Sequence, residues 1–138
     1  MSPRRLSILN ELERKGIQVC QVQGWGADRD IQIKKAKVLL NIHYADDYKI
    51  YESLRCDRFI FNDFLVISET SLCQESIDIN KLIISEHYDN LISKVIDVIK
   101  DYNTYYQKFI KKKEEIFPWI VESRKRDLFN VENLISCL

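Results

Sequence analysis

A glutamate, Glu52, stands ten residues beyond a near-continuous apolar run, Val38-Leu39-Leu40-Asn41-Ile42, and ahead of a second one, Phe64-Leu65-Val66-Ile67. Asn41 and His43 mark the end of the first run, and Gly24-Trp25-Gly26 closes a stretch of alternating residues before it. A carboxylate placed like Glu52, beside the carboxyl ends of parallel strands, can accept two hydrogen bonds from a ribose diol; loops leaving those strands open onto a common crevice. A solvated helix glutamate is the plainer alternative. Trp25 could stack on a base or anchor the loop in the core. A single histidine at a strand end, like His43, is more often a hydrogen-bonded rim residue than a catalytic base.

The elements that must position these residues are set by periodicity. Ser2-Pro3 is a helix start, and Leu6, Leu9 and Leu12 recur at helical spacing up to Gly16, a C-terminal stop. Residues 17–22 alternate and predict a strand at an edge of the sheet. A short helix is expected over 28–35, then the buried strand 38–42, a helix from Asp46 or Asp47 to about Phe61, and strands at 64–67 and 82–84. Leu91, Val95, Val98, Tyr102, Tyr105 and Phe109 draw one stripe along a long helix that Pro118 is expected to interrupt. The pattern predicts an α/β fold: a parallel sheet of about four strands with helices on both faces, ending in an all-helical tail. The chain divides accordingly into a body over residues 1–117 and a tail over 118–138.

With these elements in place, three segments carry a resemblance: G-W-G-A-D-R-D, K-V-L-L-N-I-H-Y and Y-E-S-L-R-C-D-R-F, the last leading into a strand and S-E. Together with H-Y-D-N-L at residues 87–91, they resemble the C-terminal, donor-binding domain of GT-B glycosyltransferases over roughly residues 2–110. The resemblance implies a Rossmann-like half of that fold and a nucleotide sugar as ligand. Glu52 takes the ribose position, Gly24 and Trp25 lie beside the base, and Asn41 and His43 lie near the sugar or phosphates. Tyr44 stands where many retaining members carry a sugar-contacting glutamate, eight positions before the ribose glutamate. The family's N-terminal, acceptor-binding half has no counterpart in these segments. The expected function is therefore a truncated or split glycosyltransferase with little activity alone. The alternative is a non-catalytic binding or scaffold module whose helical tail docks a partner protein or a second copy.

Composition narrows the remaining classes. Twenty-one basic and 21 acidic residues cancel, so no global field draws in nucleic acid. Lys111-Lys112-Lys113 runs directly into Glu114-Glu115 and reads as a solvated helix end. Arg4 and Arg5, at a helix N-terminus, could partly stand in for the basic pair that neutralises the diphosphate in that family, although surface arginines are the plainer reading. Four scattered cysteines without a C-x-x-C pair predict neither a metal site nor a disulfide framework, and no cofactor is expected. No apolar run reaches membrane-spanning length, and the N-terminus lacks an export signal, so a reduced, cytoplasmic setting is expected. Gly24-x-Gly26 is too short for a dinucleotide fingerprint, and Ser68 and Ser71 suggest no Ser-His-Asp arrangement.

Overall fold

The computed structural model describes residues 2–24, 26–72 and 78–136. Among them, five α-helices surround a three-stranded, fully parallel sheet of order β1-β2-β3. The elements are α1 (Pro3–Arg14), α2 (Gly26–Ile33), β1 (Val38–Asn41), α3 (Ser53–Phe61), β2 (Leu65–Glu69), β3 (Ile84–Glu86), α4 (Leu91–Lys100) and α5 (Tyr102–Ser136). The α/β class is as expected. The sheet has three strands instead of about four.

In the sheet register, Val38 pairs with Leu65 and Asn41 with Ser68, while Ile67 pairs with Ile84 and Glu69 with Glu86. All three strands therefore end at one rim. The central strand β2 is buried along its whole length, as a strand covered on both faces must be. Helices cover it with apolar positions at helical spacing: Ile8 and Leu12 from α1, Cys56, Phe59 and Ile60 from α3, and Leu91, Val95 and Val98 from α4. Burial pushes the Cys56 thiol up to about 12, which leaves it an inert core residue.

Four expectations about elements are corrected. Residues 17–22 form no ladder: Ile17 and Val19 pack on the core while Gln18, Cys20 and Gln21 face water, so the alternation is of burial, not of strand pairing. The expected helix start at Asp46 or Asp47 lies at Ser53, because Tyr48, Ile50 and Leu54 do not face the core and the preceding backbone bonds elsewhere, with Leu72 N–H donating to the Lys49 carbonyl at 2.8 Å. The long helix breaks once at Asp101, although its stripe continues through Tyr102, Tyr105 and Phe109. Pro118 does not interrupt α5, which runs 35 residues, roughly 50 Å at 1.5 Å per residue. Phe117 against Phe61, at 5.3 Å between ring centroids, and buried Ile120 hold the chain on either side of the proline.

Both α1 and α3 end in the same hydrogen-bond pattern. At α1, Gly16 takes φ +80° and Ile17 N–H returns to the Leu12 carbonyl. At α3, Asp63 takes that left-handed position at φ 63°, and Phe64 N–H returns to the Phe59 carbonyl. A non-glycine residue is held there by α5: Lys113 Nζ donates to Asp63 Oδ1 at 2.6 Å and to the Ile60 and Phe61 carbonyls at 2.9 and 3.1 Å. Lys113→Met should lower stability by about 1 kcal/mol, since it leaves two part-buried carbonyls without their donor while exposed Asp63 turns to water, whereas Lys111→Met should change little. Urea unfolding of both variants checks this, and equal midpoints would remove Lys113 as the clamp.

Candidate functional site

The rim begins with Asn41, which is fully buried. Its register opposite Ser68 lets Nδ2 donate to Ser68 Oγ at 3.1 Å, and Ser68 Oγ in turn donates to the Glu69 carbonyl at 2.9 Å. Asn41 Oδ1 accepts from Arg55 Nη1 at 3.1 Å. Arg55 also meets Glu52 Oε2 at 2.6 Å, and Arg5 Nη2 lies 3.5 Å from Glu52 Oε1. Arg5 is oriented by its Nε, which donates to the Ile42 carbonyl at 2.8 Å. Glu52 thus sits between two guanidinium groups, with its side chain 33% exposed and that of Arg55 43% exposed.

A second, more buried group lies beside it. Arg4 donates through both terminal nitrogens to the two oxygens of Glu69, and its Nε reaches Asp46 at 2.7 Å. Its guanidinium stacks 3.7 Å from the Tyr88 ring centroid, while the Tyr88 hydroxyl donates to the Arg4 carbonyl at 3.0 Å. Burial alone would raise the Glu69 carboxyl, but the paired Arg4 and the His43 backbone N–H at 3.0 Å outweigh it and hold it below the ordinary range. The hydrogen bond from Arg4 to Glu69 correspondingly raises the arginine.

His43 is 1% exposed. Its Nε2 lies 3.0 Å from Ser71 Oγ, and its Nδ1 is 3.8 Å from Glu69 Oε2 without a hydrogen bond. Burial is the largest influence on the ring and outweighs Glu69 and Glu52, so the imidazole titrates below its ordinary 6.5 and is neutral in the folded protein near pH 7. A proton taken up by the unfolded chain then opposes folding as pH falls. The histidine's contribution is complete above pH 6.5 and is lost on the acid side of it. Between pH 7.5 and 5.5 the wild type should lose up to about 1.4 kcal/mol more than His43→Gln, one pH unit's worth below the unfolded value. Urea unfolding at both pH values checks this, and parallel losses in the two proteins would refute it.

Three of the expected site residues meet here. Asn41 and Glu52 share Arg55, and His43 joins them through Glu69 and the adjoining Ile42 carbonyl that Arg5 binds. Glu52 is not within α3 but at its N-cap position, and its side chain caps nothing there. Gly24 is not drawn into the network: it is exposed, takes φ +83°, and a Cβ there would meet no atom within 4 Å. Its neighbour Gln23 bonds instead to Gln32 of α2. Trp25 lies outside the described residues. His43, buried and bonded to Ser71, is a rim residue and presents no nitrogen to solvent.

Arg55 and Glu69 are rim residues that sequence reading did not single out, and Arg4 and Arg5 hold carboxylates here where they read as surface arginines. A signal existed for the two arginines of α1. Two arginines in the first turn of a helix stand at the positive end of its dipole, an arrangement that calls for carboxylate partners. A glutamate ending an apolar strand carries a similar signal, since a buried charge must be paired. Arg4 is not a surface arginine; its side chain is 13% exposed.

Chemically, the inner group (Arg4, Glu69, His43, Ser71) is closed on itself, and the outer group (Glu52, Arg55, Arg5) reaches solvent. Among the described residues no cluster of three or more His, Cys, Asp or Glu could hold a metal ion, and no helix is long and apolar enough to cross a membrane. Two open depressions lie away from this rim, one between α2 and α3 at Asp30, Ile33 and Phe59, the other between α3 and α5 at Leu54, Asp57 and Arg124.

No protein-family profile matches the chain, and no solved structure matches it. Curated proteins of Acanthamoeba polyphaga mimivirus do. Uncharacterized protein L138 is 41% identical over 115 residues, covering 80% of this chain and 13% of the relative. Uncharacterized protein L137 is 38% identical over 135 residues, 95% of this chain and 18% of the relative. Uncharacterized protein R358 is 36% identical over 117 residues, 82% of this chain and 41% of the relative. The chain therefore spans less than half the length of each of these relatives, and what it is similar to in each of them is one segment of a larger protein.

Proposed function

We propose that this chain is a nucleotide-sugar-binding domain of the glycosyltransferase type, a Rossmann-like counterpart of the donor-binding half of the GT-B fold. The observation that carries the reading is Glu52, one-third exposed at the C-terminal rim of a parallel sheet and held between Arg5 and Arg55. Glu52 Oε2 is enclosed against Arg55, so Oε1 is the oxygen that accepts from the vicinal ribose hydroxyls, and the flanking guanidinium groups favour an adjoining diphosphate. Asn41 keeps Arg55 in place. His43 holds the rim from beneath and has no contact with the donor.

Sugar transfer needs an acceptor held in line with the donor, and most of the rate enhancement comes from that positioning. Relatives several times longer than the matched segment are consistent with a second domain that supplies it. Alone, this domain binds and does not turn over. The scaffold reading has one observation in its favour, the exposure of Trp119 (67%) on α5.

Thermal-shift titration with UDP-glucose, GDP-mannose and ADP-glucose separates the two readings. A ligand that binds only the folded state raises its stability by mass action, about 2.7 kcal/mol at one hundred times Kd. A saturable rise in Tm with at least one of the three is expected. No response to any of them, with purified protein that remains folded, would overturn the donor-binding reading.

A further inference from the structure

Tyr51 immediately precedes Glu52, and its hydroxyl donates to Asp57 Oδ1 at 2.6 Å, six residues on. The other oxygen of the same carboxylate, Asp57 Oδ2, accepts from Arg124 Nη2 of α5 at 3.1 Å. Arg124 is itself fixed, with its guanidinium 4.9 Å from the centroid of the Phe61 ring. Burial, then Asp57, push the Tyr51 hydroxyl well above its ordinary value, so it stays protonated and serves as a donor throughout the working pH range. This relay reaches from the long C-terminal helix to the residue beside the candidate ribose carboxylate.

The Glu52 backbone is held on its other side by α3, where its carbonyl accepts from Arg55 and Cys56 N–H at 3.0 Å each. Helix N-caps commonly spend their side-chain oxygen on the first orphan amides, but Glu52 makes no such bond. Its carboxylate instead points to Arg5 and Arg55. The turn entering α3 must therefore be fixed by something other than a side-chain cap. The Tyr51 bridge to Asp57 spans that turn.

We infer that Tyr51, Asp57 and Arg124 form a positioning relay by which α5 sets the orientation of the Glu52 carboxylate. This rests on the reading of Glu52 as a ligand contact, though the orientation itself can be measured without ligand. None of the three is a catalytic residue. They act through the backbone that carries Glu52, and α5 thereby belongs to the site without touching it.

The test uses the full chain labelled with 13C at glutamate side-chain carboxyls, comparing wild type, Tyr51→Phe and Arg124→Gln. Tyr51→Phe keeps the ring in the core and removes only the hydroxyl; Arg124→Gln alters a half-exposed side chain and remains informative should the first variant fold poorly. Glu69, held by Arg4 in the same rim, is the internal control. In both variants the Glu52 resonance should move or broaden while Glu69 keeps its wild-type position, and affinity for the nucleotide sugar that binds wild type should fall roughly fivefold, the scale of one net hydrogen bond. An unchanged Glu52 resonance, or equal displacement of Glu52 and Glu69, overturns the relay. A wild-type Glu52 resonance that no nucleotide sugar perturbs overturns the donor reading instead, and leaves the ligand-free comparison to decide the relay by itself.

Discussion

Glu69→Ala should destabilise the protein by about 3–5 kcal/mol, because it strands a buried guanidinium and a buried amide together. Arg4 loses both carboxylate oxygens and keeps only a long 3.5 Å contact from Nη1 to the His43 carbonyl and the Nε bond to exposed Asp46, and the His43 backbone N–H loses its acceptor. Neither group can readily rehydrate, since the Arg4 side chain is 13% exposed and His43 is 1% exposed. A loss of that size is a large part of the roughly 5–15 kcal/mol available to a domain. Glu69→Gln should cost less, for it keeps an acceptor for the amide. The double variant Arg4→Met/Glu69→Leu should recover the guanidinium's share of the loss, as buried ion pairs replaced by apolar groups of similar volume often do, but not the amide's, since leucine offers His43 N–H no acceptor. Urea unfolding at pH 7.5 reads all three, and a single-variant loss below about 1 kcal/mol would show that the pair is not holding the rim. The sign of the pH dependence comes from the depressed Glu69 value: its stabilisation is complete above the ordinary 4.5 and is lost as pH falls below that. His43 titrates in the same direction at higher pH, so acid weakens this one cluster in two steps.

How much of the fold and the rim was legible in the sequence depends on the range over which each signal acts. The face Leu91, Val95, Val98 is a local pattern and the core is built on it, whereas the face that α3 buries, Cys56, Phe59 and Ile60, is not the one marked by the spacing of Tyr48, Tyr51 and Leu54. The uninterrupted apolar run of β2 likewise announces a central strand. Ile17 to Val22 shows the limit: alternating burial is a local property, but strand pairing needs a partner edge that sequence does not reveal. The early helix start fails for a related reason, since Tyr48 and Leu54 supply apolar spacing yet are 60% and 96% exposed. At the rim, Asn41, His43 and Glu52 could be named because each stands next to a strand end or helix start. Arg4 could not be paired in advance with Glu69, its partner 65 residues away. Without that pairing the two arginines of α1 read as surface charges or as a partial stand-in for a diphosphate site, and their hold on Glu69 and Glu52 is not seen.

Glu52→Ala should weaken nucleotide-sugar binding by about two orders of magnitude while leaving the fold almost intact. Two hydrogen bonds from a diol to a carboxylate are each worth about 1.5–3 kcal/mol, so even the lower end, about 3 kcal/mol together, exceeds a hundredfold loss. The stability effect runs differently from that at Glu69. Arg5 and Arg55, the partners left behind, have side chains 21% and 43% exposed and can turn to water, so the unfolding midpoint should change by less than about 1 kcal/mol's worth. Glu52→Gln should fall between, near tenfold, because one carbonyl oxygen still accepts while the charge between the two arginines is gone. Isothermal titration of the three proteins with the responding nucleotide sugar, beside their urea curves, sets affinity against stability. A carboxylate that serves only the ion pairs would give the opposite pattern, with unchanged affinity in Glu52→Ala, and the ribose contact would have to be sought elsewhere on the rim. A parallel fall in affinity and stability would place Glu52 with Glu69, as part of the frame.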